Sequence, residues 1–224
     1  MITYISLGQN CKPVENAIKN RNMKTKREGR KTCVFDLMIT SYTALLELIE
    51  SNFDNFFDNI KLIKNPKNIK FKTNDNSLIY STNANKPYGK IITNDKLGII
   101  FNHESPGHPS LHHMEKWDNK NMYVENNFSK FKIRYSNRIN AFQNYIKNSD
   151  EVIFLIYTIY FPRKLDAIIK KTYPKLKYKI HVYNTSESMI NTISYIDLHF
   201  KTNVDECKLT DFNKGYIEGN IHYL

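Results

Sequence analysis

The chain of 224 residues carries 33 Lys and Arg against 22 Asp and Glu, a net charge of +11, with 41% hydrophobic and 13% aromatic residues. That composition excludes a disordered polyelectrolyte, and the length suffices to bury a substantial core. No run approaches the roughly 20 apolar residues that cross a bilayer, and three scattered cysteines without a CxxC spacing argue against a disulfide framework or a structural zinc site.

The first residues, "MITYISLGQN", lack a basic n-region, a long apolar core and a small-residue cleavage site, so an intracellular, cytoplasmic location is expected. "TYISLG" predicts a strand ending at Gly8. Pro13 suits the first turn of a following helix, with Glu15 at a position the helix dipole favours. Lys12 precedes a proline and is pushed away from helical dihedrals, so the helix should begin at Pro13. The segment "KNRNMKTKREGRK", residues 19–31, has seven basic residues against one acid. It is lysine-rich without interleaved aromatics, and reads first as a solvated loop produced by AT-rich codons. Convergence of several of its side chains on one concave face near Cys11 would instead mark an anionic partner. "CVFDLMIT" is a strand or buried turn. "SYTALLELIESNF" is a helix with Leu45, Leu46, Leu48 and Ile49 at helical spacing, capped by Ser41 or Thr43.

Residues 60–101 change character. "IKFKT", "SLIYST", "GKIIT" and "LGIIFNH" are short β-rich runs separated by "TNDNS"- and "TNDKLG"-type turns, which predicts antiparallel strands. A polar, histidine-bearing loop follows. Residues 122–147 then predict one long helix, with Phe128, Phe131, Tyr135, Ile139, Phe142 and Ile146 on one face. "EVIFLIYT", "RKLDAIIKKTY" and "KYKIHVYN" form a strand, helix and strand, a βαβ unit expected to be parallel and right-handed; "SYIDLHFKT" is a candidate further strand. The expected fold is therefore one α/β domain over 1–224. It has three layers, a largely parallel sheet with strands near 3–7, 152–158 and 178–183, and a central antiparallel β-rich insertion at 60–101.

Cys11 falls past the end of the first strand and beside the N-terminus of the first helix. Open α/β sheets build their sites at such strand ends. Backbone N–H groups, the positive end of the helix dipole and adjacent Lys12 would favour a thiolate there, and the amides could receive an acyl oxyanion. A small, half-buried structural cysteine is the competing reading. A thiolate used for acyl transfer needs a base, and His103, directly after "LGIIF", is the best placed of seven histidines. Asp36, an acid within an apolar run, could orient a histidine, cap a turn or hold an arginine. Arg134 and Arg138, four residues apart, share a helix face and could form a fork for an anion or for Asp36; Lys12 is a third candidate for anion binding.

"ISLGQNC", "FDLMITSY", "FNHES" and "FKIRYSNRINAF" before "EVIFLIY" together resemble an uncharacterised family assigned as putative papain-like cysteine peptidases. The resemblance covers roughly residues 4–160, and its first motif is the most specific. It implies Cys11 as nucleophile, His103 as base and Asp36 as a third member, acting on a peptide or acyl substrate without a cofactor. Leu37 stands where the family usually has tryptophan, and Glu104 where aspartate is common. Papain-type enzymes place an oxyanion-hole glutamine several residues before the cysteine; here Gln9 is two residues before it, and Gln9 with Asn10 are the oxyanion candidates. Those enzymes also carry the cysteine on a helical lobe and the histidine on a β-rich one, which leaves no place for a C-terminal βαβ unit.

Three rivals stand beside this reading. His103, His108, His112 and His113 crowd one loop with Glu104, Glu115 and Asp118, yet without HExxH or HxH spacing, so no metal is expected. Asp197 and His199 could be the late pair of an esterase-like α/β hydrolase. The basic segment with Arg134, Arg138 and Arg163 would suit a non-catalytic binding protein for nucleic acid or an acidic glycan, though no Walker loop, GxGxxG or RNP-type motif supports it.

Overall fold

A computed structural model describes residues 1–64, 71–72, 78–80, 90–105, 123–183, 204 and 215–224. Strand β1 (Ile2–Ser6) runs parallel to a later strand of seven residues, Glu151–Tyr157, which pairs on its other edge with Tyr178–Tyr183, again parallel. These are the three strands expected of the parallel sheet. After Glu151 the middle strand is a continuous buried run, as suits a strand covered on both faces. Its even and odd side chains diverge: Ile153 and Leu155 enter a small core with Val14, Ala17 and Met23. Phe154 and Ile156 enter the large core on the other face.

That alternation fixes the layers. Helix α1 (Lys12–Lys19) covers one face with Val14 and Ala17. Helices α2 (Tyr42–Glu50), α3 (Glu125–Asn148) and α4 (Arg163–Thr172) supply the large core on the other. Helix α2 starts where Ser41 Oγ accepts the Ala44 N–H at 3.2 Å, so Ser41, not Thr43, is the cap of the two candidates. In α3 the buried stripe is Phe131, Tyr135, Arg138, Ile139 and Phe142. Its first turn, Asn126 to Phe128, has left-handed dihedrals, so regular helix begins after Phe128. Phe142 meets Phe35 and Phe53 edge to face, and Phe101 meets Phe131 in the same way at 4.7 Å.

The second sheet is antiparallel. Strand β2 (Ile39–Thr40) pairs with Ile99–Ile100, which pairs with Lys90–Asn94, which pairs with Ile60–Lys64. In chain order the strands are β3 (Ile60–Lys64), β4 (Phe71–Lys72), β5 (Leu78–Tyr80), β6 (Lys90–Asn94), β7 (Ile99–Ile100), β8 (Glu151–Tyr157) and β9 (Tyr178–Tyr183). The "TNDKLG" turn joins β6 to β7, where Leu97 N–H donates to Asn94 Oδ1 and Gly98 takes φ +77°. The antiparallel sheet reaches beyond 60–101, because "IT" of the "FDLMIT" run supplies its edge strand β2.

Two boundaries differ from the sequence expectation. Helix α1 begins at Lys12, not Pro13, with Cys11 itself at the capping position. A C-terminal hairpin, β10 (Ile217–Glu218) and β11 (Ile221–Tyr223), extends the parallel sheet, β11 lying parallel to β9. Its signal was present in "YIEGNIHY", a Gly-Asn turn between alternating apolar residues. The "TNDNS" turn and the "SYIDLHFKT" strand lie outside the described residues. Among the described residues no helix is long and apolar enough to cross a membrane.

Candidate active site

The turn that carries Cys11 begins as β1 runs out. Leu7 N–H still bonds the Leu155 carbonyl at 2.9 Å, and the chain then swings through Gly8 (φ +81°) and Gln9 (φ +32°). A Cβ on Gly8 would lie 3.1 Å from Thr40 Oγ1 and 3.5 Å from the Phe35 Cβ, so glycine is required by both dihedral and space. Sharp strand-to-helix turns of this kind expose a nucleophile at the top of a sheet. Asn10 Oδ1 accepts the Lys12 N–H at 2.9 Å, and the Cys11 carbonyl accepts the Glu15 N–H at 3.2 Å. Cys11 is thereby held, half-buried, at the mouth of α1, at the C-terminal edge of the parallel sheet. On that edge Tyr157 bonds Asn16 of α1 and stacks on Tyr183 at the end of β9.

His103 is carried by the antiparallel sheet, which is bonded to the turn before Cys11. Thr40 N–H of β2 donates to the Gln9 carbonyl at 3.3 Å, and Ile39 pairs with Ile100 of β7. Strand β7 then runs into a 3₁₀ turn, Asn102–Glu104, that carries His103. Ser105 fixes this turn, accepting the Ile92 N–H at 2.9 Å and donating to the Phe101 carbonyl at 2.6 Å. The Glu15 carboxylate pulls both the Cys11 thiol and the His103 imidazole towards higher pKa.

The electrostatics oppose the expected thiolate. Burial, and then the Glu15 carboxylate, push the Cys11 thiol up to about 12, against a smaller pull from Lys12. Burial is the larger cause, and the carboxylate one helical turn away outweighs the lysine. Burial pushes His103 below the ordinary histidine value; Glu104 and Glu15 pull it up, while Arg138 and Arg134 push it further down. At neutral pH the resting pair is thus a protonated thiol with a neutral imidazole. Alkylation of Cys11 by iodoacetamide should accelerate about tenfold per pH unit from about pH 7 to about pH 10, without levelling near the usual thiol value. Peptide-level mass spectrometry separates Cys11 from buried Cys33 and from Cys207; a plateau below pH 9 would refute the raised thiol.

The other sequence candidates are placed as follows. Asp36 is buried, with Oδ2 accepting from Arg30 Nη2 at 2.6 Å and from the Cys33 N–H at 2.8 Å. It caps a turn and holds an arginine, two of the three roles the sequence left open. The fork formed by Arg134 and Arg138 grips Glu104, not Asp36: Arg134 Nε lies 2.8 Å and Arg138 Nη2 3.0 Å from Oε1, while Tyr135 Oη donates to Oε2 at 2.8 Å. Lys12 pairs with Glu15 at 3.1 Å. Gln9 is buried, and in the orientation that satisfies its surroundings its amide donates to the Tyr157 carbonyl and Thr158 Oγ1 and accepts the Tyr42 N–H. Its side chain ties β8 to α2. Asn10 is engaged by Lys12 as described. Among the described residues no three His, Cys, Asp or Glu side chains could hold a metal ion. His108, His112, His113, Glu115, Asp118, Asp197 and His199 lie outside the described residues.

Sequence reasoning missed the part played by Glu15, which it placed only with respect to the helix dipole, and the pairing of the fork with Glu104. The first was signalled by the four-residue spacing from Cys11 on a helix; the second had no signal, since the residues are 30 positions apart. No curated protein and no solved structure matches the chain. Residues 2–194 match the family model described as "Putative papain-like cysteine peptidase (DUF1796)", and the chain belongs to that family.

Proposed function

We propose that the protein is a cysteine-dependent hydrolase acting on a peptide or acyl substrate, with Cys11 as nucleophile and His103 as general base. The observation that carries the reading is the Thr40 N–H to Gln9 carbonyl bond, which ties the sheet leading to His103 to the turn that carries Cys11. Family membership supports it. Because the thiol is protonated and the imidazole neutral at rest, the thiol proton passes to His103 as Sγ attacks the carbonyl carbon. The tetrahedral oxyanion forms at the mouth of α1. Lys12 N–H is taken by Asn10 and Pro13 has none, which leaves Val14 as the first-turn donor beside the cysteine. Collapse expels the leaving group with the proton from His103, and water, deprotonated by the same histidine, hydrolyses the thioester. In this scheme Gln9 and Asn10 position the turn, and Asp36 holds the segment behind it without orienting the histidine.

The test is turnover of fluorogenic peptide and thioester panels by the native protein, Cys11→Ala and His103→Ala. Activity lost in both variants, by about 100-fold or more, with unchanged melting temperature, is the expected result. Full activity in Cys11→Ala would overturn the assignment. The pH profile carries a sign. Loss of activity should follow protonation of His103, hence an acid limb below 6.5, and kcat/KM should be flat from about pH 7 to about pH 9 because the thiol does not ionise there.

A further inference from the structure

Two of the seven basic residues of the 19–31 segment face a shared cleft, whose lining does not include Cys11. Lys26 and Lys31 from that segment line one open cleft of about 570 Å³ with Lys130, Arg134 and Arg138 of α3. Arg30, between them in sequence, turns inward to Asp36 instead, while Lys19, Arg21, Lys24 and Arg27 are exposed. A 3₁₀ turn, Lys26–Glu28, shapes the segment: Glu28 Oε2 accepts from the Thr25 N–H at 2.7 Å and from Thr25 Oγ1 at 2.8 Å, and Gly29 ends the turn at φ +89°.

We propose that this cleft is a binding site for a compact ligand bearing two or more phosphoryl groups. Among the described residues Lys26, Lys31 and Lys130 form no ion pair, so three of the five cations at the cleft lack a counter-charge. Arg138 is 4% exposed, yet its Nη1 has no hydrogen-bond partner among the described residues, the other terminal nitrogen being spent on Glu104. A buried guanidinium donor left unpaired is costly unless a ligand completes it. Glu104 and the Tyr135 ring, 4.6 Å beneath Arg138, and the Tyr123 ring, 5.6 Å beneath Arg134, lock the two guanidinium planes in place. Preformed planar donors flanked by mobile ammonium groups suit phosphoryl oxygens, the planes giving direction and the lysines charge.

Burial first, then the charges of Arg134 and Arg138, push the Lys26 ammonium below the ordinary lysine value, while the more weakly felt Asp36 carboxylate draws it back up. The volume exceeds what one phosphate fills, which favours a ligand with several. A nucleic-acid strand is disfavoured because Tyr123, the one aromatic side chain lining the cleft among the described residues, is buried and lies under Arg134.

The inference is independent of the cysteine chemistry. Isothermal titration of the full chain with tripolyphosphate and with inorganic phosphate, at two salt concentrations, tests it. Tripolyphosphate should bind at least tenfold more tightly than inorganic phosphate, and its affinity should fall as salt rises. Lys26→Ala/Lys130→Ala removes two exposed lysines, so folding is not at risk, and should weaken binding at least tenfold; Cys11→Ser should leave it unchanged. Equal affinity for the two anions, no effect of the lysine pair, or loss of binding in Cys11→Ser would each overturn the proposal. So would a short single-stranded RNA binding through the same lysines more tightly than tripolyphosphate.

Discussion

Replacing Glu104 with alanine is expected to cost about 3–5 kcal/mol of folding stability, the range for removing one partner of a buried ion pair. Glu104 is fully buried and is the carboxylate against which Arg138, 5% exposed at its side chain, is compensated. Without it a buried guanidinium loses its partner and the Tyr135 hydroxyl its acceptor. Arg134 contributes less, because its side chain is 38% exposed and water screens it. The measurement is urea unfolding of the native protein, Glu104→Ala, Arg138→Met and the double variant. The double variant should be less destabilised than the sum of the singles, since the charge left stranded in Glu104→Ala is gone. A loss below about 1 kcal/mol in Glu104→Ala would mean that the fork is not anchored as described. The same variant bears on the candidate base: Glu104 pulls the His103 pKa up, so its removal should move the acid limb of any activity profile to lower pH.

The second large effect is at Asp36. Asp36→Ala should destabilise the protein by about 3 kcal/mol or more, because Arg30, whose side chain is 7% exposed, loses its carboxylate, and the Cys33 N–H its acceptor. Burial pushes the Asp36 carboxyl up, while Arg30 and the Cys33 N–H draw it back down, so the residue is held by those two contacts. The turn it caps contains Cys33, 1% exposed. Local loosening is therefore readable as faster labelling of the Cys33 thiol by a maleimide under native conditions, resolved by peptide mapping. If Asp36→Ala left both stability and Cys33 protection unchanged but removed activity, Asp36 would belong to the chemistry and not to the turn.

The architecture sets this protein apart from a two-lobed papain arrangement. Its cysteine opens an eight-residue helix laid on a parallel sheet, and the histidine arrives from an antiparallel sheet joined to it by Thr40 and Gln9. A Cys11 thiol at about 12 and a neutral His103 imidazole also differ from a resting thiolate–imidazolium pair. Burial is the first cause of both titration states; Glu15, one turn into the cysteine's helix, adds to the rise of the thiol.

The sequence by itself determined the elements whose signals are local. The apolar run "EVIFLIY" required a strand covered on both faces, "RKLDAIIKKT" an amphipathic helix, and "SLGQNCKP" a strand–turn–helix with Cys11 at its corner, because periodicity, Gly8 and Pro13 act within a few residues of themselves. It also brought Arg134 and Arg138 to one face of a helix by spacing alone. Tertiary structure alone decided which acid that fork would hold, that Asp36 would go to Arg30, and that burial with Glu15 would raise the Cys11 thiol. It also decided that two lysines of a basic run would face a cleft while four other basic side chains face solvent. Each of these depends on which charges the fold holds close, whether from nearby or distant parts of the chain, and on how much water is removed around them. A linear pattern encodes neither distance nor desolvation, and the chemistry of this site is set by both.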